Sequence, residues 1–420
     1  MQTQLAPEFQ NTVLGQEAEA ILRQCVHCGF CTATCPTYQI MGDELDGPRG
    51  RIYLMKQVFE GAEPTRKTQL HLDRCLTCRN CESTCPSGVQ YGHLVDLGRK
   101  VVDAKVQRPL KERWVRWALK EGLTSALFAP AMKLGQSVRA LMPAAIKAKV
   151  PAPQNAGTWP STRHARQVLM LAGCVQPAMM PNINTATARV LSACGIEVVV
   201  PPAAGCCGAV KFHLNDQVGG LDHMRQNIDA WWPWVEQGIE AIVMNASGCG
   251  VTVKEYGHLL QHDAQYAAKA QRISELTRDL SELLPLCLPE LKKRLKPDVV
   301  AATGTLAYHP PCTLQHGQQL KGGVEAQLGQ LGFQLRVTEV ESNLCCGSAG
   351  TYSVLQADTA YKLRDRKLNH LNKLQAQAIL SANIGCITHL QSGSSLPVKH
   401  WVELVDEALS QSQSGLNVAG

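Results

Sequence analysis

The 420-residue chain has no uninterrupted apolar run of the about eighteen residues that a membrane-spanning helix needs. Any membrane attachment is therefore expected to be peripheral or through a partner. Met1 to Gln24 mixes Gln, Glu, Pro and Asn, with no apolar stretch behind a basic start. No secretory leader is expected, and the reducing cytoplasm is the expected compartment. Aromatic residues make up only 5% and the formal net charge is +6, which argues against a nucleic-acid-binding face. No G-x-G-x-x-G opens a βα unit, and no Arg/His set suited to taking a hydride from a hydroxy acid stands out. At 45% hydrophobic residues the chain can build cores for about two to four domains.

Cysteine, in contrast, is abundant at 18 residues. Cys25, Cys28, Cys31 and Cys35 precede Pro36, and Cys75, Cys78, Cys81 and Cys85 precede Pro86, both in the spacing C-x2-C-x2-C-x3-C-P. Bacterial two-cluster ferredoxins hold cubane iron-sulfur clusters with this spacing. Three close thiolates wrap one cubane and the fourth ligates the other. The expected sets are Cys25, Cys28, Cys31 and Cys85 on one [4Fe-4S] cluster, and Cys75, Cys78, Cys81 and Cys35 on the second. Structural zinc usually wants separated C-x2-C pairs. Disulfides at this density would be strained, and out of place in a reducing compartment.

Between the runs, Asp46-Gly47-Pro48 reads as a turn and Ile52 to Phe59 as a helix, with Arg49 and Arg51 either offsetting cluster charge or facing solvent. His93 to Val106 is again helical in pattern. Residues 105–150 are rich in Lys and Arg, with Trp114, Trp117, Leu127, Leu134 and Leu141 among them. This segment reads either as helices linking domains or as a basic amphipathic membrane contact. Pro151 to Pro160 reads as a linker. The expected division is 1–104 helical and ferredoxin-like, 105–163 basic segment and linker, then 164–300 and 301–420.

The last two units are copies of each other. The stretches ending in Cys174 and Cys312, the loops Gly205-Cys206-Cys207-Gly208 and Leu344-Cys345-Cys346-Gly347, and the stretches ending in Cys249 and Cys386 match in order. Short apolar strands alternate with helical stretches, so each copy is expected to be an α/β unit with a mainly parallel sheet. The whole is then a multidomain α+β chain: a helical two-cluster domain followed by two α/β Cys-Cys-Gly domains. In such sheets functional groups gather beyond the carboxyl ends of the strands. Cys174, Cys206, Cys207 and Cys249 should converge, as should Cys312, Cys345, Cys346 and Cys386. Each quartet is a candidate for a further cluster or for redox thiols. Cys194 and Cys287 fall outside the pattern and read as small core residues.

Two cluster runs followed by two Cys-Cys-Gly units, with Ala246-Ser247-Gly248-Cys249-Gly250, Lys254-Glu255-Tyr256 and Gly347-Ser348-Ala349-Gly350-Thr351-Tyr352, closely resemble the iron-sulfur subunits of bacterial glycolate oxidases (glycolate dehydrogenases). The architecture is shared with iron-sulfur subunits for lactate and anaerobic glycerol-3-phosphate oxidation and with heterodisulfide reductases, so the alternative readings are an iron-sulfur subunit of a lactate or glycerol-3-phosphate dehydrogenase, or a heterodisulfide-reductase-like thiol redox protein. The resemblance implies a complex in which an FAD-containing subunit oxidises glycolate to glyoxylate, a second flavoprotein-like subunit stands alongside, and electrons pass to a quinone. This chain would be its non-catalytic electron-transfer subunit, peripheral on the inner face of the cell membrane. One departure stands out. The heterodisulfide-reductase relatives end each cysteine domain in C-x2-C, whereas here Thr252 and His389 stand at the last position. His389 is a candidate replacement ligand, while His309 and His316 flank Cys312 and are either near a redox centre or ordinary loop residues.

Overall fold

The computed structural model describes residues 1–147 and 149–414. The amino-terminal unit is all helical. Helices Val13–Gln24, Pro48–Phe59, Arg66–Asp73 and Tyr91–Lys105 enclose a core of Leu22, Ile52, Met55, Phe59, Leu72, Leu94 and Val102. The first and third helices are started by Thr12 and Thr65, whose hydroxyls accept backbone N–H groups that a helix start leaves unpaired. The two cysteine runs take the same backbone path. His27 and Gly29 in one, and Thr77 and Arg79 in the other, all have positive φ at matching positions. Three of these four are not glycine, and such strain persists where the surrounding structure demands it. At Thr77 the turn brings the backbone N–H to Cys75 Sγ, at 3.4 Å.

Each carboxy-terminal unit carries a four-stranded, all-parallel sheet. Strands β1 (Arg166–Met170), β2 (Ile196–Val199), β3 (Ile242–Met244) and β4 (Thr277–Asp279) stand in the order β2-β1-β3-β4. Strands β5 (Thr305–Tyr308), β6 (Gln334–Arg336), β7 (Ala378–Ser381) and β8 (Val398–His400) repeat that order as β6-β5-β7-β8. The register sets Val168 opposite Val198 and Leu306 opposite Leu335. In both sheets the chain moves outward from the first strand and then crosses back, which opens a crevice between first and third strands where such folds bind ligands. Helix Pro297–Ala302 runs across residue 300, so the expected 300/301 boundary cuts an element.

One apolar core unites the copies, including Ile183, Leu191, Leu284, Val402 and Leu409. The strand ends also meet: Ser247 N donates to Ala382 O at 3.1 Å and Ser247 Oγ lies 2.7 Å from Thr313 Oγ1. Both Cys-Cys-Gly loops therefore face the same side.

The helical unit sits across that side and touches both copies. On the second copy, Ser83 Oγ meets His316 Nδ1 at 2.9 Å and Tyr352 donates to Arg74 O at 3.1 Å. On the first, Glu255 pairs with Arg79 and with His93 (3.2 Å), His93 stacks on His258, and His258 pairs with Glu17. Burial lowers the His93 pKa, but the neighbouring Glu255 raises it overall. Burial likewise raises Glu255, yet His93 and Arg79 bring it down to about 2. A raised histidine stabilises fully below its unfolded pKa and loses that contribution as pH climbs through the folded value. A depressed carboxylate stabilises above its unfolded pKa and loses that as pH falls. The seam should thus be tightest between about pH 5 and 6.5 and loosen as the pH rises through the raised pKa of His93. The protection of amides at Gly92–Val95 relative to their intrinsic exchange rate should fall over that rise, and His93→Gln should flatten the response.

Candidate iron-sulfur sites and the thiol chamber

Cys25, Cys28, Cys31 and Cys85 line one cavity, together with Cys81, Ile52 and Tyr91. Cys35, Cys75, Cys78 and Cys81 line a second, together with Arg51, Pro36 and Tyr91. Cys81 and Tyr91 lie on both, so the two cavities are adjacent. The donor sets suit clusters: five thiols line the first space and four the second, and the thiols are crowded. Burial and the neighbouring Cys25 raise the Cys31 thiol to about 11, and burial with adjacent thiols also raises Cys78 and Cys81 well above the usual thiol range. Such groups do not ionise together without a cation, and binding iron removes that obstacle.

The second cavity is the better insulated. Arg51, 1% exposed, donates to His71 O at 2.7 Å and to Thr37 Oγ1 at 3.1 Å, and Thr37 Oγ1 lies 3.2 Å from Cys35 Sγ. Burial opposes the charge on Arg51, but Tyr91, Cys75, Cys35 and Asp46 around it raise its pKa. Arg49, two residues away, pairs with Glu44 at the surface. Both arginines are placed to offset cluster charge, Arg49 on the rim of the first cavity and Arg51 buried on the second. Arg99 holds the other wall by donating to Leu72 O, Cys75 O and Thr77 Oγ1. Hydrogen bonds and fixed charges of this kind tune cluster potentials.

The quartets of the two copies do converge. In the first, Cys174 and Cys207 stand beside Cys206 and hold its thiol well below the usual range, and Cys249 lies beside Cys207. In the second, Cys312 and Cys345 have their sulfurs 3.7 Å apart, and Cys346 contacts both Cys345 and Cys386. Gly208 and Gly347 have φ of +93° and +91°, and a Cβ there would stand 2.6 Å from Gly220 O and 2.4 Å from Ala360 O. Glycine is what lets these doublets lie against their helices. Cys194 and Cys287 lie together in the shared core, away from both quartets.

A chamber of about 290 Å³ lies between the second cluster cavity and the two quartets. Cys75 and Cys78 of the helical unit line it, as do Cys174, Cys207 and Cys249 of the first copy and Cys312, Cys345 and Cys386 of the second. The second cluster cavity and both thiol quartets therefore open on one space. Nothing in the spacing of the runs announces this chamber, which arises from how the helical unit is seated.

The histidines fall differently from expectation. His389 turns to Ala360 O at 3.1 Å and stacks on Tyr361, so it is not placed as the missing ligand. The imidazole beside Cys346 and Cys386 is that of His309, with ligand atoms of all three within 4.8 Å of one another. His316 bridges Ser83 and Asn343 O across the seam. Lys367, 3% exposed and donating to Glu341 O, also faces the second quartet. Setting the copies side by side would have singled out both His309 and Lys367, because the first copy has Leu171 and Ile228 there.

Residues 24–89 match the 4Fe-4S dicluster domain family, and residues 168–254 and 306–391 each match the cysteine-rich domain family. Together with the cavities, these matches define an iron-sulfur electron-transfer protein, built as a dicluster domain on two cysteine-rich domains. The chain is 54% identical to the glycolate oxidase iron-sulfur subunit of Escherichia coli K12, over 98% of this chain and 100% of that one. It is 29% identical to the probable glycolate oxidase iron-sulfur subunit of Bacillus subtilis 168 over 92% of each. It is also 24% identical to a fumarate reductase (CoM/CoB) subunit of Methanothermobacter marburgensis, over 93% of this chain and 73% of that one. The chain belongs to the family of glycolate oxidase iron-sulfur subunits.

Proposed function

We propose that the chain is the non-catalytic electron-transfer subunit of a complex whose flavin subunit oxidises glycolate to glyoxylate, with a second flavoprotein-like subunit alongside and a membrane quinone as acceptor. In this reading Cys25, Cys28, Cys31 and Cys85 hold one cluster, and Cys75, Cys78, Cys81 and Cys35 the other. The division into 1–104, 105–163 and two cysteine-rich units belongs to the same reading. The observation that carries it is the series of thiol sites: two adjacent cavities, the second open to the chamber that both quartets share. Bound clusters supply one-electron carriers. The protein's own residues bury them, hold their thiols apart and set their electrostatics through Arg51, Arg99 and Tyr91. Around exposed Cys28, the apolar side chains of Val26, Phe30 and Tyr53 are also exposed, which suits a docked redox partner at that edge. The full complex, purified anaerobically and mixed with glycolate, should show reduced-cluster EPR signals. Reduction by lactate or glycerol 3-phosphate with none by glycolate would refute the substrate assignment.

Among the described residues no helix is long and apolar enough to cross a membrane. Helices Leu110–Thr124 and Phe128–Ser137 contain no buried residue, and they expose Leu110, Trp114, Trp117, Leu127 and Leu134 beside Lys111, Arg113 and Lys133. Their inner edge is tied down by Lys120–Asp216 and Arg116–Asp73. They therefore link the units, and their outer face suits an anionic bilayer surface. Trp114→Ala with Trp117→Ala should weaken binding to anionic phospholipid vesicles by at least about tenfold. Unchanged vesicle binding with loss of subunit co-purification would assign the face to a protein partner instead.

A further inference from the structure

We propose that the second cysteine-rich copy, and not the first, holds an additional iron-sulfur centre, and that His309 ligates it together with Cys312, Cys345, Cys346 and Cys386. The inference rests on the electron-transfer reading above. His309 follows β5 and is anchored there by its backbone N–H to Leu380 O at 2.8 Å. Its side chain is 1% exposed, yet neither ring nitrogen has a hydrogen-bond partner among the described residues. A buried imidazole with both nitrogens unpaired is costly, and that cost calls for an explanation. The nearest groups able to supply one are thiols, since its ring lies within 4.8 Å of Cys346 and Cys386. At the other end of the quartet, Cys312 and Cys345 sulfurs are 3.7 Å apart. Two sulfurs on one tetrahedral metal, with bonds of about 2.3 Å, stand about 3.8 Å apart. Five donors thus divide into two groups, which suits a centre of more than one iron.

The first copy has its own close thiols but lacks the imidazole. Leu171 stands where the second copy has His309, with the same backbone bond, here to Val243 O. Gly208 packs on Met224 and Gly347 on Leu363, which aligns the two supporting helices. Four residues further along, the first copy has Ile228 and the second has the buried Lys367 facing its thiols. A cation under the doublet offsets the negative charge that thiolates bring to a cluster. The first doublet is instead held by neutral groups, through Asn227 to Cys206 O and Tyr256 to Cys207 O. The second quartet is also next in line for electrons, because Cys78 of the second cluster cavity packs with Cys312 and Cys345. Imidazole in place of a thiolate raises a cluster's potential, so electrons arriving from a cubane would run downhill to it.

The test uses the full-length chain, purified anaerobically from cells grown with natural or 15N-labelled histidine. Expected are about two to four irons beyond the about eight of two cubanes, and a pulsed-EPR nitrogen coupling that changes with the label. His309→Ala should lose the extra iron and keep both cubane signals. His309→Cys should retain the iron, lose the nitrogen coupling and lower the potential. Cys206→Ser with Cys207→Ser should leave the iron unchanged. About eight irons in the wild type would overturn the inference and leave the electron-transfer reading standing. Extra iron without nitrogen coupling, or extra iron lost on changing Cys206 and Cys207, would also overturn it. Markedly fewer than eight irons, with zinc in their place, would sink the electron-transfer reading itself. The labelled wild type decides the point even if His309→Ala fails to fold.

Discussion

Cys85→Ala is expected to remove about four irons and to cut glycolate-driven electron flow through the complex by about a hundredfold or more, while the cluster beside Arg51 survives. Cys85 belongs to the second cysteine run but lines the cavity of the first, with Cys25, Cys28 and Cys31. Cys35 is its counterpart, in the first run but on the wall with Cys75 and Cys78. The crossing makes a prediction that simple counting does not. Cys25→Ala with Cys85→Ala should lose no more iron than either change alone, because both strike one cluster. Cys75→Ala with Cys85→Ala should lose about eight, because they strike two. Uncrossed ligation would reverse the two outcomes. Iron and sulfide per chain, with EPR of the remaining cluster, reads the result directly.

How much of this was legible beforehand depends on whether the partners of a residue are near it in sequence. The cysteine runs were, because a cluster demands thiolates at fixed short spacing. So was the duplication, since three blocks recur in order and short apolar strands alternate with helices. The locations of charge and imidazole were not. Arg49 and Arg51 are two residues apart on one helix, about 200° around its axis, so Arg49 reaches the rim of the first cluster cavity while Arg51 is buried on the second. The groups that receive Arg51 come from His71 and Thr37, outside its helix. In sequence His389 is better placed than His309, because it stands where relatives have a cysteine. On helix Ile384–Gln391, however, it turns toward Ala360 and Tyr361. The chamber was beyond reach because it is made by three units meeting.

Asp46→Asn should destabilise the helical unit by about 3–5 kcal/mol, the cost of leaving a buried guanidinium without its anion. Asp46 and Arg51 are each 1% exposed, and the carboxylate also meets His71 Nδ1 at 3.0 Å and Arg74 Nη1 at 2.8 Å. Its backbone oxygen accepts from Thr37 Oγ1 at 2.8 Å, and that hydroxyl reaches Cys35. The damage should therefore spread to the second cluster cavity, which Cys35 and Arg51 both line. We expect the visible absorbance of that cluster to bleach at lower guanidinium concentration and with a shorter half-life, while the Cys25 cluster bleaches later. Glu44→Gln is the control. Its pair with Arg49 is more than a third exposed on both sides, where such pairs contribute about 0–1 kcal/mol. Equal losses from the two substitutions would mean that the buried network around Asp46 does not hold the cluster wall in place.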